Sequence, residues 1–136
     1  MQKKIIPKNK KLLDTSAVIS ILQKESGYKL VEEIIASSAI SAVNFSELVA
    51  VLARSSIPEK DIDKIITDIV PEIIPFSEDI AINAGKLVNK TKEYGLSLGD
   101  RACLATGQYY GMEIYTADKA WLKLQKHIKS NIIIIR

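Results

Sequence analysis

Several residue types are scarce in this 136-residue sequence, and each shortage excludes a class of protein. The single cysteine excludes a disulfide scaffold and a cysteine-rich zinc site, and it suits a reducing compartment. Aromatic residues make up only 6% of the chain, which argues against a base-stacking platform for RNA. No apolar run is long enough to span a membrane, and no signal-peptide pattern follows the basic first eleven residues. We therefore expect a cytoplasmic protein with no membrane contact.

The remaining composition is that of one ordinary globular domain, with 47% hydrophobic residues, 26% charged residues and a formal net charge of +3. The charge is unevenly placed. Residues 1–11 and 119–136 each carry five basic residues and no acid, which leaves nine basic and all sixteen acidic residues between them. An acidic centre with basic ends suits a metal-dependent site that acts on a polyanion. Solvated lysines at frayed termini explain the same counts. We treat residues 1–11 as a basic N-terminal extension and 12–136 as a single domain.

Short apolar runs alternate with longer helical patterns along the chain. One helical pattern is stopped by Pro71 and the next runs out at Tyr94-Gly95, while Cys103 lies on the apolar face of a further one. The runs with the length and composition of strands are Leu12–Leu13, Ala39–Val43, Ile73–Ile74, Glu113–Thr116 and Ile132–Ile135. This alternation predicts an α/β fold with three layers, α/β/α, around a mostly parallel five-stranded sheet. Ligands bind such sheets at the carboxyl ends of the strands, so the residues that follow each strand are the first candidates for chemistry.

Four acidic residues lie at such positions. Asp14 directly follows the first predicted strand, and Asp118 follows the fourth. Glu47 and Asp100 fall in the first turns of predicted helices. Four ionised carboxylates cannot share a small cleft unless a cation offsets their repulsion. Their hard oxygen ligands favour Mg²⁺ or Mn²⁺ over zinc.

Each of these acids also fits a structural role at a helix terminus. Asp14 and Asp118 are suited to N-cap positions. Asn44-x-x-Glu47 and Ser97-x-x-Asp100 resemble capping boxes, and we expect Asn44 to be an N-cap. Capping and metal binding do not exclude each other, so both roles stay open.

Four segments of the chain resemble the successive signatures of PIN-domain nucleases. They are LLDTSAVISIL around Asp14, NFSELVAVL around Glu47, GLSLGDRACLATG around Asp100 and YTADKAW around Asp118. Their order and spacing also match, and the resemblance covers the chain from Leu12 to Ile135. Within that superfamily the sequence is most similar to VapC-type toxins of VapBC toxin–antitoxin modules. It departs from the usual pattern in having thirteen residues before the first aspartate.

The resemblance implies a PIN-like fold and a magnesium-dependent endoribonuclease that cleaves phosphodiester bonds with a metal-activated water. Asp14, Glu47, Asp100 and Asp118 would be both the catalytic residues and the ligands of Mg²⁺, with Mn²⁺ as the alternative metal. The implied partners are an RNA substrate, a VapB-like antitoxin and a second copy of the chain in a homodimer or a higher toxin–antitoxin assembly.

Other polar residues lie beside the acids. The hydroxyls of Thr15, Ser16 and Thr116 are placed to orient carboxylates or water, although turn and cap hydrogen bonds explain them equally well. Arg101 and Lys119 are candidate RNA contacts. Arg101 follows Asp100 on a helix and therefore points roughly 100° away from it.

Alternative functions are distinguished by single residues. A phosphatase of the haloacid-dehalogenase type needs a second aspartate where this chain has Ser16, and a receiver domain needs one near Ile73–Phe76. Neither aspartate is present. The rival that stays open is a non-catalytic PIN-like module that binds RNA or protein.

Overall fold

The computed structural model describes residues 7–69 and 72–136. Helices and strands alternate along most of this length, as the apolar pattern predicts. The strands are β1 (Lys11–Leu13), β2 (Ser38–Ser41), β3 (Ile73–Ile74), β4 (Glu113–Thr116) and β5 (Ile132–Ile134). The α-helices are α1 (Thr15–Gln23), α2 (Tyr28–Ile34), α3 (Ala42–Arg54), α4 (Glu59–Ile69), α5 (Glu78–Lys90) and α6 (Leu98–Tyr110). Short 3-10 helices cover Ile35–Ser37, Lys92–Tyr94 and Lys119–His127.

The five strands form one sheet in the order β3-β2-β1-β4-β5, and every pairing between them is parallel. The predicted α/β class and five-stranded sheet are confirmed. The chain winds outward from β1 to β3 and then continues on the other side of β1 with β4. The strand order therefore reverses between β1 and β4, and a crevice is expected there at the carboxyl ends of these two strands.

The core consists of two apolar clusters on opposite faces of the sheet. Leu12 and Ile114 face one cluster, which contains the buried residues of α5 and α6. Their neighbours Leu13 and Tyr115 face the other cluster, which contains those of α1 to α4. Alternate residues of each strand thus enter opposite layers, which produces the predicted three-layer architecture. Cys103 of α6 is fully buried in the first cluster, as its apolar helix face predicts.

Two predicted boundaries are wrong. The second strand ends at Ser41 rather than Val43, because the Ser41 Oγ accepts a hydrogen bond from the Asn44 backbone N–H at 3.1 Å and caps α3. The predicted N-cap role of Asn44 is therefore wrong, and Glu47 lies in the second turn of α3 rather than the first. The helix predicted to end at Tyr94-Gly95 stops at Lys90 and is followed by a 3-10 turn.

Part of the basic N-terminal segment is packed on the sheet. Lys11 begins β1, and the Asn9 side chain donates hydrogen bonds to the Ser38 backbone oxygen at 2.9 Å and to Glu72 at 3.0 Å. Lys3 and Lys4 of the predicted extension lie outside the described residues, as does Pro71, which the sequence predicts to end α4. In the two described ranges, no helix has the length and apolarity needed to cross a membrane.

Candidate active site

A cavity of about 470 Å³ opens at the carboxyl ends of the central strands. All four acids that the sequence singles out line it, although they come from four separate segments of the chain. Asp14 follows β1 and Asp118 follows β4, the two strands at which the sheet order reverses. Glu47 enters from α3 and Asp100 from the start of α6. The topology therefore brings together carboxylates that are up to 104 positions apart in sequence.

Asp14 is the most buried of the four, with only 6% of its surface exposed. Its Oδ1 accepts hydrogen bonds from the Ser16 hydroxyl at 2.7 Å and from the Ala17 backbone N–H at 2.9 Å. Its Oδ2 accepts one from the Thr116 hydroxyl at 2.5 Å. Thr116 in turn accepts from the Asp118 backbone N–H at 3.1 Å, so the first and fourth acids are joined through one hydroxyl. The predicted hydroxyl residues Ser16 and Thr116 thus hold the Asp14 carboxylate in place.

Burial changes the protonation of this carboxyl. Loss of hydration raises the pKa of Asp14 from 3.8 to about 6, and the nearby charge of Asp100 also acts to raise it. The hydrogen bonds from Ser16, Thr116 and the Ala17 backbone act in the opposite direction and limit the rise. A buried carboxylate beside other acids is electrostatically unfavourable, so a nearby cation would stabilise it.

Glu47 is held by two donors on the same oxygen. The Thr15 hydroxyl donates to Glu47 Oε1 at 2.7 Å, and the Asn44 side-chain amide donates to the same atom at 2.9 Å. Asn44 is buried and also donates to the Gly99 backbone oxygen at 3.2 Å. The Asn44 amide therefore links the second acid to the helix terminus that carries the third, Asp100.

Asp100 and Asp118 both accept backbone hydrogen bonds at the N-termini of helices. The Asp100 Oδ2 accepts from the Ser97 backbone N–H at 3.0 Å, and the Ser97 hydroxyl accepts from the Asp100 N–H at 3.2 Å. This is the predicted capping box. The Asp118 Oδ1 accepts from the Ala120 N–H at 3.0 Å. Both residues also line the cavity, so the capping role does not remove them from the site.

Three of the carboxylates share one arrangement. Within the described ranges, Glu47, Asp100 and Asp118 each accept hydrogen bonds through one oxygen, while the other oxygen accepts none. One oxygen thus fixes the orientation of the group and the other is available to a ligand.

The donor chemistry of the cavity fits a hard divalent cation. In the described residues, however, no three His, Cys, Asp or Glu side chains are close enough together to form a ready metal cage. Mg²⁺ is usually bound by one or two carboxylates and keeps several waters, so these residues fit it without such a cage.

The basic residues of the site differ from those expected. The Arg101 guanidinium donates to the Ala84 backbone oxygen at 3.1 Å, which directs it toward α5, and it does not line the cavity. Lys119 is exposed beside Asp118 but is also absent from the lining. The RNA contacts proposed for these two residues stay predictions.

One wall of the cavity, formed by α3, was not predicted from the sequence. Ala50, Val51 and Arg54 lie three, four and seven residues after Glu47 on α3, and all three line the cavity. Residues at this spacing share one face of a helix, so the position of Glu47 was a signal that could have found them. Ile19 and the buried Trp121 complete the apolar part of the lining.

Gly99 provides a test of how Glu47 is positioned. A Cβ atom at Gly99 would overlap the Glu47 carboxylate. Because that carboxylate ends a flexible side chain, we expect Gly99→Ala to fold normally and to displace Glu47. Displacement of a carboxylate that takes part in a reaction typically lowers turnover by about 10- to 100-fold.

The matched control is Gly85→Ala, since a Cβ at Gly85 of α5 has nothing within 4 Å. Turnover rates and thermal unfolding of both variants check the prediction. Equal activities of the Gly99→Ala and Gly85→Ala proteins would show that the position of Glu47 does not matter.

Comparison of the chain with known protein families and with curated proteins identifies its family. The protein-family model for the PIN domain matches residues 11–127 of this chain, a range that includes all four cavity acids. The chain belongs to the PIN-domain family. Among curated proteins it is similar to Ribonuclease VapC42 of Mycobacterium tuberculosis, with 30% identity over 104 residues that cover 73% of this chain and 77% of that protein. A VapC ribonuclease of Mycobacterium bovis matches to the same extent.

Solved structures show the same fold at lower identity. A DNA-bound VapBC from Salmonella typhimurium matches this PIN domain with a TM-score of 0.71 and 18% identity, over 94% of this chain and 99% of that one. A toxin–antitoxin complex from Klebsiella pneumoniae gives 0.68 and 23%, over 92% and 97%. VapC20 of Mycobacterium tuberculosis, described as a sarcin-ricin loop cleaving toxin, gives 0.68 and 15%, over 85% and 95%. The predicted PIN-like architecture is confirmed.

Proposed function

We propose that this PIN domain is a divalent-metal-dependent endoribonuclease and the toxin of a VapBC-type toxin–antitoxin module. The observation that carries the proposal is the convergence of four carboxylates from separate segments on one cavity. Its volume of about 470 Å³ is within the usual range for pockets that bind small molecules, so it has room for one nucleotide. The relatives named VapC ribonucleases and the structures described as toxin–antitoxin complexes support the same assignment.

The metal ligands in this proposal are Asp14, Glu47, Asp100 and Asp118, and Mg²⁺ is the expected ion, with Mn²⁺ as the alternative. Their oxygens are the donors that such ions prefer. When bound, the cation would supply positive charge at the scissile phosphate and lower the pKa of the attacking water.

The residues around the carboxylates prepare the site for that chemistry. The Ser16 and Thr116 hydroxyls fix the orientation of Asp14, while Thr15 and Asn44 fix that of Glu47. Groups that are already oriented need little rearrangement when charge develops at the reacting phosphate, which lowers the barrier. No covalent nucleophile is required, since water is the attacking group.

The same acidic cavity is a docking site for a cationic side chain of an antitoxin. A guanidinium pairs with carboxylates through two parallel hydrogen bonds and would compete there with the metal. A VapB-like antitoxin that inserts such a side chain would silence the enzyme. We include the homodimer and the cytoplasmic location in the proposal on the family resemblance.

Incubation of the purified chain with mixed cellular RNA, in Mg²⁺ and in EDTA, tests this function. We expect cleavage in Mg²⁺ only, with products that carry a 5′-phosphate and a 3′-hydroxyl. Undiminished cleavage in EDTA would refute metal dependence. RNA binding with no cleavage in Mg²⁺ or Mn²⁺, and no growth arrest on expression, would instead favour the non-catalytic binding module.

A further inference from the structure

The acidic cavity has one positively charged residue in its described lining, Arg54. It lies seven residues after Glu47 on α3, which corresponds to about 10 Å along the helix axis. Ala50 and Val51 line the cavity between them. The cavity therefore extends along this face of α3 from a carboxylate at one end to a guanidinium at the other.

The Arg54 guanidinium is available to a ligand. Its side chain is exposed, and it forms no hydrogen bond or ion pair with any residue in the described ranges. The other two arginines of the chain are engaged, since Arg101 donates to the Ala84 backbone oxygen and Arg136 pairs with Glu25 at 3.4 Å. A free arginine beside four acids, none of which it pairs with, has no structural role in the described contacts.

A polyanionic strand needs such a cation in a cavity of this kind. A strand whose scissile phosphate lies at the carboxylates continues past them, and its neighbouring phosphates are repelled by any carboxylate not offset by the metal. A guanidinium binds phosphate through two parallel hydrogen bonds and keeps its charge at every physiological pH. The apolar surface of Ala50 and Val51 is suited to a ribose or a base between the two phosphates.

We propose that Arg54 binds a non-scissile backbone phosphate of the RNA and so sets the position of the strand relative to the four carboxylates. This inference rests on the proposed ribonuclease function. Because the phosphate bound is chemically unchanged during the reaction, Arg54 contributes to substrate binding equally before and during the chemical step. Its loss should therefore change KM and leave kcat nearly unaltered.

Steady-state cleavage of one oligoribonucleotide by the wild type, Arg54→Gln and Arg54→Lys tests this. We expect Arg54→Gln to raise KM about tenfold, as for the loss of one charge-assisted contact, with kcat within about twofold. Arg54→Lys keeps the charge without the fork and should fall between the two. The matched control is Lys60→Gln, which removes an exposed cation of α4 outside the cavity and should not change KM.

Equilibrium binding separates this inference from the proposed function. In an Asp14→Asn background, the anisotropy of a labelled single-stranded RNA measures binding without cleavage, and Arg54→Gln should reduce the salt-dependence slope by about 0.7. Equal behaviour of Arg54→Gln and Lys60→Gln, or a fall in kcat at constant KM, would overturn the role of Arg54. If the wild type cleaves no RNA but Arg54→Gln still weakens binding selectively, the phosphate contact stands and the ribonuclease proposal fails.

Discussion

Asp14→Asn is expected to lower RNA cleavage by about 10³-fold, the scale of loss seen when a central electrostatic group of an active site is removed. The substitution removes one negative charge and one metal-binding oxygen while keeping nearly the same shape. The side-chain oxygen of the introduced asparagine can still accept from the Ala17 backbone N–H and cap α1. Loss of activity would therefore report on the charge at this position rather than on loss of the fold.

Asp100→Asn provides the companion variant for the third carboxylate. Asparagine can still accept from the Ser97 N–H, so the capping box of α6 is retained. We expect a comparable fall in cleavage rate. The control is Asp79→Asn, which changes an acid in the first turn of α5 outside the cavity and should retain full activity. Full activity of both cavity variants in Mg²⁺ would eliminate the carboxylate mechanism.

The same Asp14→Asn substitution is expected to stabilise the metal-free protein at neutral pH. Burial raises the pKa of Asp14 to about 6 in the folded state, so ionisation of this group above that pH opposes folding. The destabilisation caused by this ionisation is absent below about pH 4 and grows between pH 4 and 6. It reaches about 3 kcal/mol at pH 7.5, as follows from the rise of the pKa from 3.8 to about 6. Asparagine is neutral throughout and removes this penalty.

Urea unfolding in EDTA, near pH 4 and near pH 7.5, measures this effect. The difference in unfolding free energy between Asp14→Asn and the wild type should be small at the lower pH and large at the higher pH. Asp118→Asn is the matched comparison, because it removes an acid of the same cavity at an exposed residue. A pH-independent difference for Asp14→Asn would show that burial does not penalise the carboxylate.

Asp14→Asn is thus expected to lower RNA cleavage and to raise the stability of the metal-free protein. Asp14 lowers the stability of the empty protein because its charge is desolvated and close to Asp100. A ligand with positive charge relieves both effects and binds more tightly for that reason. The energy lost in the metal-free fold therefore contributes to affinity for the cation or for a cationic antitoxin side chain.

Much of the fold and the location of the acids was predictable because both depend on local patterns. Apolar runs identify the strands, and in a parallel sheet the residue after a strand lies at the carboxyl edge whatever the details of packing. Asp14 and Asp118 are fixed by this rule. The Ser97-x-x-Asp100 box is also local, since its two hydrogen bonds join residues three apart.

The contacts that could not be predicted join distant segments or depend on the extent of a helix. Asn44 reaches Gly99 across 55 positions, and nothing near Asn44 in the sequence indicates that partner. Ser41 rather than Asn44 is the N-cap at the end of β2, so α3 begins earlier than predicted and the Asn44 side chain is left to link two acids. The helical spacing from Glu47 places Arg54 on the same face of α3, but it does not show how far the cavity extends along that face.

Anomalous diffraction from crystals soaked in Mn²⁺ would show whether the four carboxylates form one metal site. We expect an anomalous peak in the cavity, bonded to Asp14 and to at least one of Glu47, Asp100 and Asp118, and no such peak in Asp14→Asn crystals. Manganese bound only outside the cavity, in crystals of a protein that cleaves RNA in Mn²⁺, would contradict it.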